Sequence, residues 1–257
     1  MKNPNKTSSV PLFKCQPTKD TVIAFVLGIF VIIISFSLLL FSGNATADKI
    51  SFFILRDFIM IFGLGFVFPL YYVLIVRKEN LSEFGITRQK WLISLVIDVV
   101  LAMLLLFQFI SGSEEAGQTI LLSPKAMGPI FYIMVAGIFE VIFFYTFLRQ
   151  RFENAFGIIP SIILVALFYS FHHAGFQPEY LKLFFVGIMY ASILKITKNA
   201  LIIYPFFWGV GASWDVLVSF GAIKELEGAW IKGLITLILM MTFAIYLKFK
   251  MQKIKNN

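Results

Sequence analysis

The sequence has 257 residues, of which 59% are hydrophobic and 17% aromatic, while only 14% are charged. A soluble domain of this length carries about a quarter charged residues, so the composition excludes an ordinary soluble protein and indicates one embedded in a lipid bilayer. The formal net charge of +8 suggests a nucleic-acid partner or an anionic membrane, and the positions of the basic residues distinguish the two. The single cysteine, Cys15, excludes a disulfide framework within the chain.

Long apolar stretches separated by short polar connections run through the whole sequence. A membrane-spanning helix needs about 20 mostly apolar residues. Eight stretches have or approach that length, at residues 21–42, 57–76, 91–111, 129–149, 158–173, 180–197, 200–221 and 229–249. No internal repeat or low-complexity tract is visible. The sequence therefore predicts one all-α membrane domain over residues 19–250, a bundle of about eight transmembrane helices, with a tail at 1–18 and a basic tail at 251–257.

The first apolar stretch has some features of a cleavable signal peptide. Lys14 and Lys19 precede it, and Ala45-Thr46-Ala47 resembles a cleavage site. Its apolar core over residues 22–41 is longer than the roughly 7–15 residues of a signal peptide's apolar region. We therefore expect an uncleaved first helix.

Basic residues concentrate on one side of the predicted topology. If the N-terminal tail is cytoplasmic, 16 of the 22 Lys and Arg residues fall on the cytoplasmic side, including those at residues 77–90, 149–151 and 195–198. This is the positive-inside distribution, and it predicts a multi-pass protein of the cell membrane with both termini in the cytoplasm. Anionic lipid accounts for the basic charge, so we expect the bilayer and no nucleic acid as a partner. The richness in Lys, Ile, Phe and Asn is typical of a bacterial protein.

Ionisable residues inside the apolar stretches are the candidate functional residues. Inserting each of them into the bilayer costs about 2.5–3.5 kcal/mol, so a functional role is the first explanation to consider. Four places qualify: Asp98, Glu140, the adjacent His172 and His173, and Asp215.

Glu140 lies in the run IFEVIFFYTFLRQR at residues 138–151. Arg151 is on the same side of the predicted helix but about 16 Å further along its axis, too far to neutralise the carboxylate. Glu140 must therefore find a partner on another helix, bind a metal or water, or stay protonated. The alternative without function is a protonated Glu140 that hydrogen-bonds to a neighbouring helix.

The remaining candidates differ in how much their surroundings indicate. Neighbours in a helix point about 100° apart, so we expect one of His172 and His173 to face the bundle and the other to reach the interface. In WGVGASWDVL, Gly211 precedes Asp215 by four residues and leaves room beside the carboxylate for a helix, a water or a substrate. Asp98 has no comparable surroundings, and a structural role is its simpler interpretation.

The order of these motifs resembles that of the CPBP family, the CAAX proteases and bacteriocin-processing (Abi) enzymes that work inside membranes. FEVIFFYTFLRQRFENAFG is similar to the family's Glu-Glu-x-x-x-Arg block, with Glu140 at the first Glu, and FYSFH places Phe168 and His172 on its Phe-x-x-x-His block. FFVGIMYASILKITKNA is similar to the third block, and Gly211 and Asp215 fall on the last, His-x-x-x-Asn or Asp. With LSEFGIT upstream, the resemblance covers about residues 80–220 and implies a CAAX-protease-like bundle.

Three positions depart from the family's pattern. Val141 stands at the second Glu, Tyr145 at the Arg and Gly211 at the final His. The missing Glu and Arg would be four residues apart, which is the spacing of an intrahelical ion pair. Losing only one of them would leave an unpaired charge in the membrane, whereas losing both needs no counter-ion.

The resemblance implies a role for each remaining group. Glu140 would activate water as a general base, and His172 would orient that water or bind a metal. Asp215 would be the remodelled group at the transition state. His173 and Asp98 are secondary candidates. The metal is left open; Zn²⁺ is a possible cofactor, because two carboxylates and a His can hold it, but closely spaced ligand motifs are absent.

These features predict an intramembrane endopeptidase that cleaves a peptide or a membrane-tethered protein. Two other classes compete with it. A catalytically silent relative would bind a peptide or membrane protein in an immunity or scaffold role. A proton-coupled transporter would use Glu140, Asp98 and Asp215 as a relay, but the absence of an internal repeat argues against it.

Overall fold

The computed structural model describes residues 10–41, 43–82, 84–87, 91–112, 124–175, 179–200, 204, 209, 211 and 228–256. Within these residues the regular structure is helical and contains no strand, which confirms the predicted all-α class. The helices are α1 (Lys19–Ser37), α2 (Ala45–Val76), α3 (Trp91–Gly112), α4 (Pro124–Glu140, continued by Val141–Leu148 and Arg149–Phe156), α5 (Ile158–His172), α6 (Tyr180–Thr197) and α7 (Ala229–Asn256).

Five of the described helices are long and apolar enough to cross a membrane, and two more are shorter. The five are Lys19–Phe41, Ala45–Val76, Ala126–Phe156, Tyr180–Thr197 and Ala229–Ile254; the shorter ones are Trp91–Leu104 and Ile158–His172. Large apolar side chains such as Ile33, Leu104 and Ile238 face outward, as helices in lipid require. A multi-pass α-helical membrane protein is therefore confirmed in general form. Most of the predicted stretch at 200–221 lies outside the described residues, and the count of eight stays a prediction.

Helix α2 begins well before the predicted start at residue 57. Asn44 caps it, because its side-chain oxygen accepts the backbone N–H groups of Thr46 and Ala47, both at 3.0 Å. The apolar run ISFFIL then carries the helix inward, so Arg56 and Asp57 are buried within the bundle, only 7% and 2% exposed. Arg56 therefore belongs to the helix and not to the connection before residue 57.

Helices α4 and α5 form an antiparallel hairpin that turns at Gly157. This residue has a φ of +89°, and a Cβ there would lie 2.7 Å from the carbonyl oxygen of Leu12, so only glycine fits. The N-terminal segment lies along the turn: the N–H of Lys14 donates to Phe156 at 2.9 Å, and that of Gln16 donates to Ala155 at 2.8 Å. These bonds satisfy carbonyls that the end of α4 would leave without partners.

Charged side chains from several segments meet at the same end of the bundle as this turn. Arg151 donates two hydrogen bonds to Glu79, at 2.8 and 2.7 Å, and lies 3.6 Å from Asp20. Lys195 of α6 forms an ion pair with Glu153 of α4. Four segments that the positive-inside distribution assigns to the cytoplasm therefore lie together, while the orientation of this end in the membrane stays a prediction.

Cysteine labelling tests this arrangement. Cys15 is exposed and serves as the reference for its side of the membrane. In a Cys15→Ser background, Lys78→Cys and Lys198→Cys should react with a membrane-impermeant maleimide from the side on which Cys15 reacts, because these exposed residues lie at the charged end. Ala45→Cys, at the other end of α1 and α2, should react only from the opposite side. Labelling of Lys198→Cys and Ala45→Cys from one side would contradict the fold.

Candidate functional site

The α4–α5 hairpin places Glu140 opposite the two histidines. Glu140 precedes Gly157 by 17 residues, and His173 follows it by 16. At 1.5 Å per residue both lie about 25 Å from the turn, so the two arms bring them to the same depth. The Oε1 atom of Glu140 is 3.8 Å from Nε2 of His172 and 3.7 Å from Nε2 of His173. The predicted pairing of Glu140 with His172 is therefore present in the structure.

Both imidazoles face Glu140, so the expectation that only one of them would face the bundle is wrong. His172 is the last residue of α5, and His173 is its C-cap, with a φ of −82° and a ψ of −3° that are still in the right-handed helical region. The 100° separation fixes only the directions of the two Cβ atoms, and both rings nevertheless reach the carboxylate of Glu140. The two rings are 1% and 4% exposed, and their centroids are 3.8 Å apart.

One backbone carbonyl orients both imidazoles. Nδ1 of His172 lies 2.5 Å, and Nδ1 of His173 2.9 Å, from the oxygen of Tyr169. Since a carbonyl oxygen only accepts hydrogen bonds, each Nδ1 carries a proton and the neutral ring has an unprotonated Nε2. Two imidazole lone pairs and a carboxylate oxygen thus converge on the same place.

Aromatic side chains enclose the cluster without sealing it. The ring of Phe144 packs on His172 with centroids 4.5 Å apart. Tyr145 and Tyr204 are close enough to interact electrostatically with the carboxylate of Glu140. The side chain of Glu140 remains 14% exposed, so a small molecule such as water can reach it.

Glu140 stands where helix α4 changes its geometry. It ends the α-helical part of α4, and the next eight residues, Val141–Leu148, form a wider π-helical segment. Helix α2 also contains π-helical segments, over Phe52–Val67 and Tyr72–Val76, so this change in geometry does not by itself mark a functional site. Val141 and Tyr145, the two uncharged substitutes for the family's Glu and Arg, are both buried here, where an unpaired charge would be costly.

A buried arginine of α2 also acts on the cluster. The guanidinium group of Arg56 interacts electrostatically with both imidazoles. Its Cζ lies 5.6 Å from the ring centroid of Tyr132, whose hydroxyl donates a hydrogen bond to Asp57. The sequence prediction missed this pair because it started the helix at Asp57. The signal was the adjacent Arg and Asp inside ISFFILRDFIMIFG, a run that is apolar on both sides of them.

Of the other two candidates, Asp98 is not brought to this cluster. Among the described residues, one group of potential metal ligands has donor atoms within 4.8 Å of one another, and it consists of Glu140, His172 and His173. Asp98 is fully buried on α3 and does not belong to it. Asp215 lies outside the described residues, so its place in the site stays a prediction.

No family model matches the chain, and comparisons with curated proteins and with solved structures found no match. The resemblance to the CPBP family therefore stays a prediction. The function has to be argued from the geometry of the cluster.

The turn that carries His173 is fastened to α1 by a close approach that can be tested. The N–H of Gly175 donates to the hydroxyl of Ser35 at 3.0 Å, and a Cβ at residue 175 would lie 2.1 Å from the carbonyl oxygen of Ser35. Gly175→Ala should destabilise the protein by about 1–3 kcal/mol, the usual cost of overpacking. Gly43→Ala is the matched control, because nothing lies within 4 Å of its added Cβ. Thermal unfolding in detergent measures both, and equal midpoints would contradict the packing.

Proposed function

We propose that the chain is an intramembrane endopeptidase with a CAAX-protease-like bundle, which hydrolyses a peptide or a membrane-tethered protein with water activated at Glu140. The observation that carries the proposal is the convergence of this carboxylate with two oriented imidazoles inside the bundle. Placing three ionisable groups inside a membrane bundle costs free energy of insertion. A catalytic role explains why the sequence retains them.

The geometry suits a water molecule held between the three groups. The separations of 3.7 and 3.8 Å exceed the roughly 2.7–3.2 Å of a direct hydrogen bond, which leaves room for a molecule held between the three groups. Water has two O–H donors, so it would donate one to an unprotonated Nε2 and the other to Glu140. Glu140 would take that proton as the water oxygen attacks the peptide carbonyl carbon. The same proton would pass to the leaving amine as the C–N bond breaks.

Arg56 supplies the positive charge that the oxyanion of the tetrahedral intermediate needs. In the family pattern the groups that stabilise this oxyanion fall on Gly211 and Asp215, and neither carries a positive charge. The guanidinium of Arg56 reaches the same cluster from α2 and acts on both imidazoles. A fixed charge in a water-poor site stabilises developing negative charge far more than it would in water.

The two competing classes fit the cluster less well. A silent peptide-binding protein would need neither two imidazoles with their Nε2 atoms aimed at one carboxylate nor a buried arginine beside them. A proton relay would need Asp98 near Glu140, and Asp98 is not part of the cluster formed by the described residues.

Replacing the base tests the reaction directly. In liposomes containing a library of membrane-tethered peptides, Glu140→Gln and His172→Ala should each lower the cleavage rate by about 10²–10⁴-fold, the usual contribution of a general base. Glu179→Gln is the matched control, because this carboxylate is exposed and pairs with Lys182 at the surface. Cleavage at the wild-type rate by Glu140→Gln would exclude Glu140 as the base, whereas no cleavage by the wild-type protein would favour the peptide-binding alternative.

Replacing Arg56 tests the oxyanion role. Arg56→Gln should lower kcat by about 10²–10³-fold with little change in KM, because the charge is needed only in the transition state. Arg56→Lys keeps the charge and should recover part of the loss. Arg77→Gln is the control, since this arginine is half-exposed at the charged end. An unchanged kcat in folded Arg56→Gln protein would contradict the role.

A further inference from the structure

We infer that Glu140, His172 and His173 form a binding site for one divalent transition-metal ion of the zinc type. Their donor atoms all lie within 4.8 Å of one another. The inference rests on the proposed function, because it concerns how the same site would activate water.

The donor set and its spacing are those of a catalytic zinc site. Such sites use three protein ligands, commonly His nitrogens and a carboxylate oxygen, and keep a fourth position for water. With zinc–ligand distances of about 2.0–2.1 Å, tetrahedral ligands lie about 3.4 Å apart. The Glu140 oxygen is 3.8 and 3.7 Å from the two Nε2 atoms, so these two separations exceed tetrahedral spacing by about 0.3–0.4 Å.

The histidines are already oriented as metal ligands. Metal-bound histidines almost always donate their other ring N–H to a carbonyl or carboxylate, which fixes the tautomer and the direction of the ring. Here the oxygen of Tyr169 accepts from Nδ1 of both rings. Both Nε2 atoms are therefore left with lone pairs directed at Glu140, and a cation resolves the repulsion among three converging acceptors.

His173 is the residue that favours a metal over water alone. One imidazole and one carboxylate suffice to orient a water, and the family pattern assigns a role only to His172. The cap of α5 brings in the second buried imidazole and completes a three-ligand set. The charge of Arg56 opposes a bound cation, but Asp57, the next residue, is also buried and carries the opposite charge when ionised. Binding through Oε1 alone would leave Oε2 of Glu140 to accept the proton of water.

Metal content provides a test that does not depend on activity. The full chain should carry Cys15→Ser, because the exposed thiol is itself a zinc ligand. After stripping with chelator in detergent, it should bind one Zn²⁺ per chain in a calorimetric titration with zinc chloride. His173→Ala and Glu140→Gln should each weaken binding by about tenfold or more. Asp98→Asn is the control, because this buried carboxylate lies outside the cluster and its loss should leave zinc binding unchanged.

A replacement ligand separates coordination from structural support. His173→Cys supplies a thiolate, which zinc also binds, so it should retain zinc where His173→Ala loses it. With Co²⁺ in place of Zn²⁺, His173→Cys should add a thiolate-to-metal charge-transfer band that the parent protein lacks. If His173→Ala fails to fold, this band still decides the question, and its absence from folded, Co²⁺-treated protein would overturn the site.

The metal site and the peptidase can fail separately. Zinc binding that is equal in the parent and in folded His173→Ala protein would overturn the metal site. Full-rate peptide cleavage by chelator-stripped protein would overturn the metal site and leave the peptidase standing. If the parent protein binds one zinc ion that His173→Ala does not bind, the metal site is supported. If the same parent protein cleaves no peptide, the peptidase is excluded.

Discussion

A carboxylate halfway along a membrane-spanning helix is the constraint on which the surrounding structure depends. Glu140 cannot be neutralised within α4, because the basic residues of that helix, Lys125, Arg149 and Arg151, lie toward its two ends. Its partners have to come from a neighbouring helix that ends at the right depth. The α5 helix has only 15 residues, and its length matches the part of α4 between Glu140 and the turn. The length of α5 thus matches the position of the carboxylate on α4.

The charged end of the bundle keeps these two arms in register. Gly157 allows the tight turn, the N-terminal segment binds the freed carbonyls of α4, and Arg151 holds the end of α2 through Glu79. Buried ion pairs add little net stability when their desolvation cost is counted, but they can specify one arrangement among several. The histidines lie about 25 Å from this end. A slip of one residue in α5 would shift them by about 1.5 Å relative to Glu140, which is enough to separate their donor atoms.

The sequence predicted the site in outline because Glu140 and His172 each interrupt an apolar run and fall on two blocks of the family pattern. The role of His173 could not be predicted in this way, since helical periodicity gives the direction of its Cβ but not the side-chain rotation that brings its ring to Glu140. Arg56 was missed because the start of α2 depends on the Asn44 cap, and boundaries are the least certain part of a sequence-based assignment. The π-helical segment after Glu140 has no sequence signature that would distinguish it from α-helix.

Charge balance connects the simplest interpretation of Glu140 with the metal site. With neutral imidazoles, the ionised side chains of Glu140, Asp57 and Arg56 sum to one negative charge. A site poor in water disfavours a net charge, so the group needs a compensating cation. One proton on Glu140 meets that need and corresponds to the structural interpretation of a buried glutamic acid. A divalent ion with a bound hydroxide meets it equally well, and it converts the same neutral site into one that holds a nucleophile. The second imidazole favours the metal-bound state, because a metal ion can bind both Nε2 atoms, whereas the single proton of a protonated Glu140 can be donated to only one of them.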